Sequence, residues 1–380
     1  MLAFTNVELV LRNCFLPNAV LLAENGVITD FGPAKKMTIP AGAEIIDGGG
    51  LYLLPGFFDS HTHACEMHRY VFDAVTPAAA ALRHGATSVL ATVSVKHPFE
   101  EMLEGIRRIR TAIHDGSAPN LVGINMEGPY LNDKYGSPNG VHHWTNALRP
   151  EIYLPIIEAC GEDVYIWSVA PEREGIEDFV RAAHERNPKA HFAVGHSEAR
   201  AEQIEALIPY GMCIGTHHTN ATGTLWNWPE CRGVSVDEAV NSNTSFWAEM
   251  ISDSMGVHVD PYMQRLIRKI KTDERLILIT DATDSRGVPL PGAEEVTDVN
   301  FTDVGDVGGS KLTMDAAVRN YMMHTGASLV EACRCACYNP AVENGFTDRG
   351  EIAKGKRADL LLSDHHVNLQ KVFLAGKEVK

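Results

Sequence analysis

From about residue 50 to residue 350, short apolar runs alternate with longer stretches whose apolar positions recur at helical spacing. Eight runs stand out: LLPGFFDSH, TSVLATVS, LVGINMEG, VYIWSVAP, HFAVGHS, MCIGTHH, FWAEMISD and LILITDA. They are too short for ordinary helices, and their consecutive apolar residues fit strands covered on both faces. Between them lie PFEEMLEGIRRIRTAIH, GIEDFVRAAHERN, EARAEQIEALIPYG and DPYMQRLIRKIKT, each with one apolar stripe. Alternating strand and helix predicts a parallel sheet, and eight strands are the number that closes a (β/α)8 TIM barrel.

The two ends of the chain carry a different pattern. FTNVELVL, NAVLLAENGVITDFG and EIIDGGGLYLLPG alternate β-branched and polar residues between Asn-Gly and Gly-Gly-Gly turns, and ADLLLSD and VNLQKVFLAG do the same near the C-terminus. Residues 1–53 and 350–380 are therefore predicted to pair in one small β-sandwich domain beside a barrel of residues 54–349. After the eighth run, SRGVPLPGAEEVTDVNFTDVGDVGG is too long for an ordinary connection and predicts a loop or short hairpin over the barrel mouth. MDAAVRNYMMHTGASLVEACRCACYNP then returns to helical period.

Composition narrows the function. Apolar residues make up 45% of the 380, enough for a large core. A formal net charge of -16 argues against nucleic acid or anionic membrane as partner, since both are bound through cationic surface. Any anionic substrate must then be met by a local positive site. No apolar run approaches the ~18 residues that span a bilayer. The opening MLAFTNVELVLRNCFLP lacks the basic start and apolar run of a signal peptide. Eight cysteines follow no framework spacing, and Cys333, Cys335 and Cys337 read as buried thiols on a helix. A cytoplasmic location is expected.

Six residues with ligand chemistry sit at or just beyond the ends of these runs: His61, His63, Glu127, His196, His217 and Asp281. Each alone has a structural reading, as a satisfied core histidine or a capping carboxylate. Their shared placement decides between the readings, because a parallel barrel builds its active site at the carboxyl ends of its strands. His61 and His63, two apart on one strand, point to the same face. Gly128-Pro129 stops the third run and leaves Glu127 on the rim. Such a set suits a divalent cation that turns water into a nucleophile. Asp281, costly if buried as an unpaired charge, is placed to take the proton from that water.

The motifs PGFFDSHTH, MEGPYLN, GHSEA, THHTNA, ISDSMGVHVD, TDAT and NPA, in this order, resemble the amidohydrolase superfamily, and within it the N-acetylglucosamine-6-phosphate deacetylases. The resemblance implies a metal triad of Glu127, His196 and His217 and a catalytic Asp281. It gives His61 and His63 a second metal, so one or two divalent ions are expected: zinc first, with iron, cobalt or manganese as alternatives. It also implies substrate contacts from His142, Asn220, Ala221 and His258, with His142 or His258 stabilising the oxyanion, and a homodimer or higher homo-oligomer. The expected reaction is hydrolysis of an N-acyl amine, a small molecule, to acetate or another small acid and a free amine.

This chain departs from the family pattern in three places. ACEMHRYVFDA follows the His-x-His where the family has a glycine-rich loop, and NDKYGSPNG is longer than its counterpart. LWNWPECRG replaces the stretch that carries the family's phosphate-binding arginine, with Trp228 near its place and Arg232 a few residues on. Two tryptophans, Trp226 and Trp228, suit a ring or apolar face better than a phosphate dianion. The sequence therefore predicts that a 6-phosphate counts for less here than in typical members. A hydrolase or deaminase of another N-acyl amine or cyclic amide is the alternative enzyme reading. A silent amino-sugar-binding barrel is the non-enzyme one.

Overall fold

A computed structural model describes residues 1–136, 144, 148–289, 291 and 294–380. The eight apolar runs form one parallel sheet. Its strands are β1 (Phe57–Thr62), β2 (Ala86–Ser94), β3 (Leu121–Glu127), β4 (Val164–Val169), β5 (His191–Val194), β6 (Met212–Gly215), β7 (Trp247–Ile251) and β8 (Leu276–Ile279). Each pairs with the next in chain order. The circle is closed by rim residues. Asp281 N–H donates to the His61 carbonyl at 2.9 Å, and His63 N–H to the Ala282 carbonyl at 2.9 Å. The buried carboxylate of Asp59 fastens the same seam by accepting from the Thr280 hydroxyl at 2.7 Å.

Alternation along the strands separates two cores. Leu90, Ile166, Trp247, Ile251, Ile277 and Ile279 fill the barrel interior. Their neighbours Val89, Ala91, Trp167, Ala248, Met250 and Leu278 face the helices outside. Of the helices α1 (Val75–Arg83), α2 (Phe99–His114), α3 (Pro150–Cys160) and α4 (Ile176–Arg186), α2 and α4 cover the stretches expected of them, and α1 and α3 lie between further strands. The helix expected over EARAEQIEALIPYG is cut to α5 (Ala201–Glu205) and a separate 3-10 turn, Ile208–Tyr210. Pro209 cannot donate to the helical ladder, and Gly211 turns left-handed at φ 99°. Then come α6 (Val236–Ser242), α7 (Pro261–Lys271) and α8 (Met314–Thr325). Cys333, Cys335 and Cys337 lie buried in the helical segment after α8, as free thiols.

The terminal strands form a separate eight-stranded sheet. Tyr52–Pro55 joins Leu2–Val10 to Leu360–Ser363, so both ends of the chain meet across it. The sheet curls over its own core: the Phe4 and Phe373 rings are 4.9 Å apart although they stand on strands three places apart. The chain enters the barrel at Gly56, where a Cβ would meet the Thr87 hydroxyl at 2.0 Å. After β8, Val299–Phe301 and Val307–Ser310 form the expected hairpin beside the barrel mouth. Among the described residues no helix is long and apolar enough to cross a membrane.

Candidate active site

The six sequence-selected residues meet at the carboxyl rim, and the backbone shows how they are aimed. His196, His217 and Asp281 each lie two residues beyond a strand end, with φ of 45°, 28° and 46°. Non-glycine residues rarely adopt that left-handed region, at a cost of order 1–3 kcal/mol each, and such strain gathers at functional sites. All six are largely shielded from solvent: His61 is fully buried, and Asp281 is 8% exposed.

Glu127 stands at the centre. Its Oε1 is 2.9 Å from His196 Nε2 and 3.3 Å from His217 Nε2, and its Oε2 is 3.2 Å from His63 Nε2. The two Nε2 atoms of His196 and His217 face each other at 2.9 Å. The far nitrogen of each ring lies 3.2 Å from a backbone carbonyl, Tyr135 O for His196 and Asn220 O for His217. If each Nδ1 carries the hydrogen that such a contact needs, both inner nitrogens are bare lone pairs beside a carboxylate. Two bare nitrogens and a carboxylate oxygen this close are the donor set of a metal ion, with backbone carbonyls holding the tautomers. His61, His63 and Glu127 make a second such group. His61 Nε2 is buried with no hydrogen-bond partner, 3.8 Å from Glu127 and 3.7 Å from Asp281. The residues present therefore fit a divalent cation.

The electrostatics agree. Burial opposes a charge on His61, but Glu249, then Asp281 and Glu127, outweigh it and push its pKa up to about 10. Burial would raise Asp281, yet the hydrogen bond from His63 and the nearby imidazoles bring it below the usual carboxylate range. A pocket this rich in carboxylates favours positive charge at its centre, which a bound cation would supply. Another His–Cys–Glu group, His191, Cys213 and Glu343, lies at the opposite end of the barrel. The 2.5 Å hydrogen bond between His191 Nδ1 and Glu343 accounts for it without an ion.

Sequence reasoning missed the residues behind this layer. Glu249, on the interior face of β7, is 3.0 Å from His61 Nδ1 and accepts the His217 backbone N–H at 3.1 Å. Its signal was a lone carboxylate inside the otherwise apolar FWAEMI. Asp253 accepts from the His258 backbone N–H at 2.9 Å and lies 3.1 Å from its Nδ1, while His258 Nε2 is buried and unpartnered.

A cavity of about 350 Å³ opens above these groups, and its lining includes His63, Glu127, His196, His217, His258 and Asp281. Asn220 and Ala221 also line it, as expected. His142 lies outside the described residues. Trp228 and Arg232 do not reach the cavity lining. They stand on the hairpin formed by Trp226–Trp228 and Cys231–Arg232, where Trp226 is 62% and Trp228 73% exposed. Arg232 is occupied by Glu238 at 2.6 Å.

A parallel barrel with this convergence of imidazoles and carboxylates on its rim defines a metal-dependent hydrolase. The pattern of the amidohydrolase family matches residues 52–379, and the chain belongs to that family. It is similar to the N-acetylgalactosamine-6-phosphate deacetylase of Escherichia coli O157:H7, with 28% identity over 97% of both chains. It is also similar to the N-acetylglucosamine-6-phosphate deacetylase of Lysinibacillus sphaericus, at 25% identity over 88% of this chain and 87% of that one. Among solved structures, a variant of the N-acetyl-D-glucosamine-6-phosphate deacetylase of Mycobacterium smegmatis in complex with N-acetyl-D-glucosamine-6-phosphate matches with a TM-score of 0.84. That match has 27% identity and covers 100% of this chain and 99% of the other.

Proposed function

We propose that the protein deacetylates an N-acetylated amino sugar, an N-acetylhexosamine 6-phosphate being the substrate class, and releases acetate and the free amine. The observation that carries this reading is the pair of imidazole nitrogens facing each other beside Glu127, with Asp281 next to His63 on the same rim. The deacetylase names of the similar proteins support the substrate class.

In this reading Glu127, His196 and His217 hold one divalent ion, and His61 and His63, sharing Glu127, hold a second. When bound, the ion supplies Lewis acidity, polarising the amide carbonyl and bringing the pKa of water toward ~7. Zinc suits the donors best, with iron, cobalt and manganese as alternatives. Asp281 accepts the proton of the attacking water and delivers it to the leaving nitrogen as the C–N bond breaks, one carboxylate serving as base and then acid. His142 or His258 is the proposed donor to the developing oxyanion. Asn220 and Ala221 position the sugar.

The direct test is acetate release from N-acetylglucosamine 6-phosphate, N-acetylgalactosamine 6-phosphate, their unphosphorylated forms and N-acyl amino acids. Turnover of the N-acyl amino acids alone would refute the amino-sugar assignment.

Two variants probe the second ion. His61→Asn combined with His63→Asn is expected to lower the bound metal by about one ion per chain and leave the first in place; loss of all metal would make the first-strand histidines the primary site. Glu249→Gln keeps every direct ligand but weakens the carboxylate that orients His61. It is expected to lower affinity for the second ion by roughly 10–100-fold, read by metal titration. An unchanged titration would leave Glu249 a purely structural residue.

We further propose a homodimer in the cytoplasm. Its support is an outward apolar stripe on α7, with Tyr262 at 73%, Leu266 at 42% and Ile270 at 44% exposure, and eight free cysteines, as a reducing compartment would keep them. Light scattering that returns a monomer mass would exclude the dimer.

A further inference from the structure

The cavity above the rim contains two cations that the reaction just described does not use. Arg69 lies in the loop after β1, and Lys96 lies two residues beyond β2. They line the same cavity as Glu127, Asp281 and Asp306 in a chain of net charge -16. Two positive side chains lining one acidic pocket imply a ligand for them.

Their hydrogen bonding shows what kind. Arg69 is largely buried, and its Nε is bonded to Asp284. That contact uses one of five guanidinium donors and fixes the plane of the group. Among the described residues, neither terminal nitrogen of Arg69 has a hydrogen-bond partner, and Lys96 Nζ has neither a hydrogen bond nor an ion pair. Lys96 stays solvent-accessible, yet desolvation, followed by the charge of Arg69, holds its pKa below the usual range. An anion seated against both would relieve that repulsion. A guanidinium held by its Nε edge offers a free fork, which suits a tetrahedral or planar oxyanion.

We propose that Arg69 and Lys96 form an oxyanion subsite that grips the 6-phosphate of the substrate. The proposal rests on the deacetylase reading above and deepens it. Within the single chain Trp228 and Arg232 do not line the cavity, and the proposal assigns the cationic function to the loops after β1 and β2. The sequence-based expectation of weaker phosphate recognition rested on the one loop that carries Trp228 and Arg232, and the experiment below decides between the two.

The experiment compares kcat/KM for N-acetylglucosamine 6-phosphate with that for N-acetylglucosamine, and in parallel the affinities of glucosamine 6-phosphate and glucosamine by calorimetry. Both use the metal-loaded wild type, Arg69→Gln, Lys96→Gln and the double variant. The phosphorylated member of each pair is expected to be favoured roughly a hundredfold in the wild type, and each single change to reduce that ratio roughly tenfold. Arg69→Lys is expected to restore part of the ratio, since it returns charge without the fork. A ratio in the double variant within threefold of the wild-type value overturns the proposal, and so does a wild type that does not distinguish the two forms. The calorimetric arm needs no turnover. If neither sugar is deacetylated but the affinity contrast holds and falls in the variants, the deacetylase reading fails while the subsite stands. If acetate is released with no contrast, the subsite alone fails.

Discussion

Asp281→Asn is expected to fold and keep its metal while losing roughly 10²–10⁴ in kcat, the usual worth of general acid–base catalysis. The backbone at this position is held independently of the carboxylate: its N–H donates to the His61 carbonyl and its carbonyl accepts from Ser310 N–H, both at 2.9 Å. An amide of the same shape therefore leaves the barrel seam intact. What it removes is an oxygen 3.3 Å from His63 Nε2 that can take a proton and return it. The left-handed φ of 46° is retained, since asparagine tolerates that region better than most residues. A variant within threefold of wild type on the true substrate would reassign Asp281 to a structural role.

Glu127→Gln is expected to cost more, because Glu127 is common to both groups of histidines. Its Oε1 serves His196 and His217, and its Oε2 serves His63. The amide matches the carboxylate in shape but lacks its charge and one acceptor. Both ions should then be lost or held weakly, unlike the outcome for the paired His61 and His63 changes, which spare the first. Losing an ion that supplies several kcal/mol of transition-state stabilisation corresponds to about 10³-fold or more in rate. Elemental analysis of the purified variant distinguishes this from a purely catalytic defect. Wild-type metal content in Glu127→Gln would show that the carboxylate is not a ligand.

Much of this site could be read from the chain because strand ends are marked in sequence. An apolar run that stops at His-x-His, at Glu before Gly-Pro, or at Thr-Asp announces both the strand and the residue on its rim. The same logic exposes the barrel, since eight such runs alternate with amphipathic helices. What stayed hidden depends on contacts between distant segments. Nothing near Glu249 in sequence points to His61, which lies six strands earlier in the chain but only two strands away around the closed barrel. Arg69 and Lys96 sit in loops with no periodic pattern, and only the closed ring of strands brings them to one cavity. Trp228 is placed by a similar long-range effect: a short hairpin holds it exposed, outside the cavity lining of this chain. The left-handed turns at His196 and His217 have no compositional marker either, because neither is glycine.

The central claim, that divalent ions held by Glu127, His196 and His217 and shared with His61 and His63 drive amide hydrolysis, is tested most directly by titrating metal back into chelated enzyme. Bound metal and acetate release are measured on the same samples. The account predicts that chelated protein is folded and inactive. Activity should then rise in proportion to bound ion and level off at about one to two ions per chain. Full activity in protein shown by elemental analysis to be free of metal would contradict it.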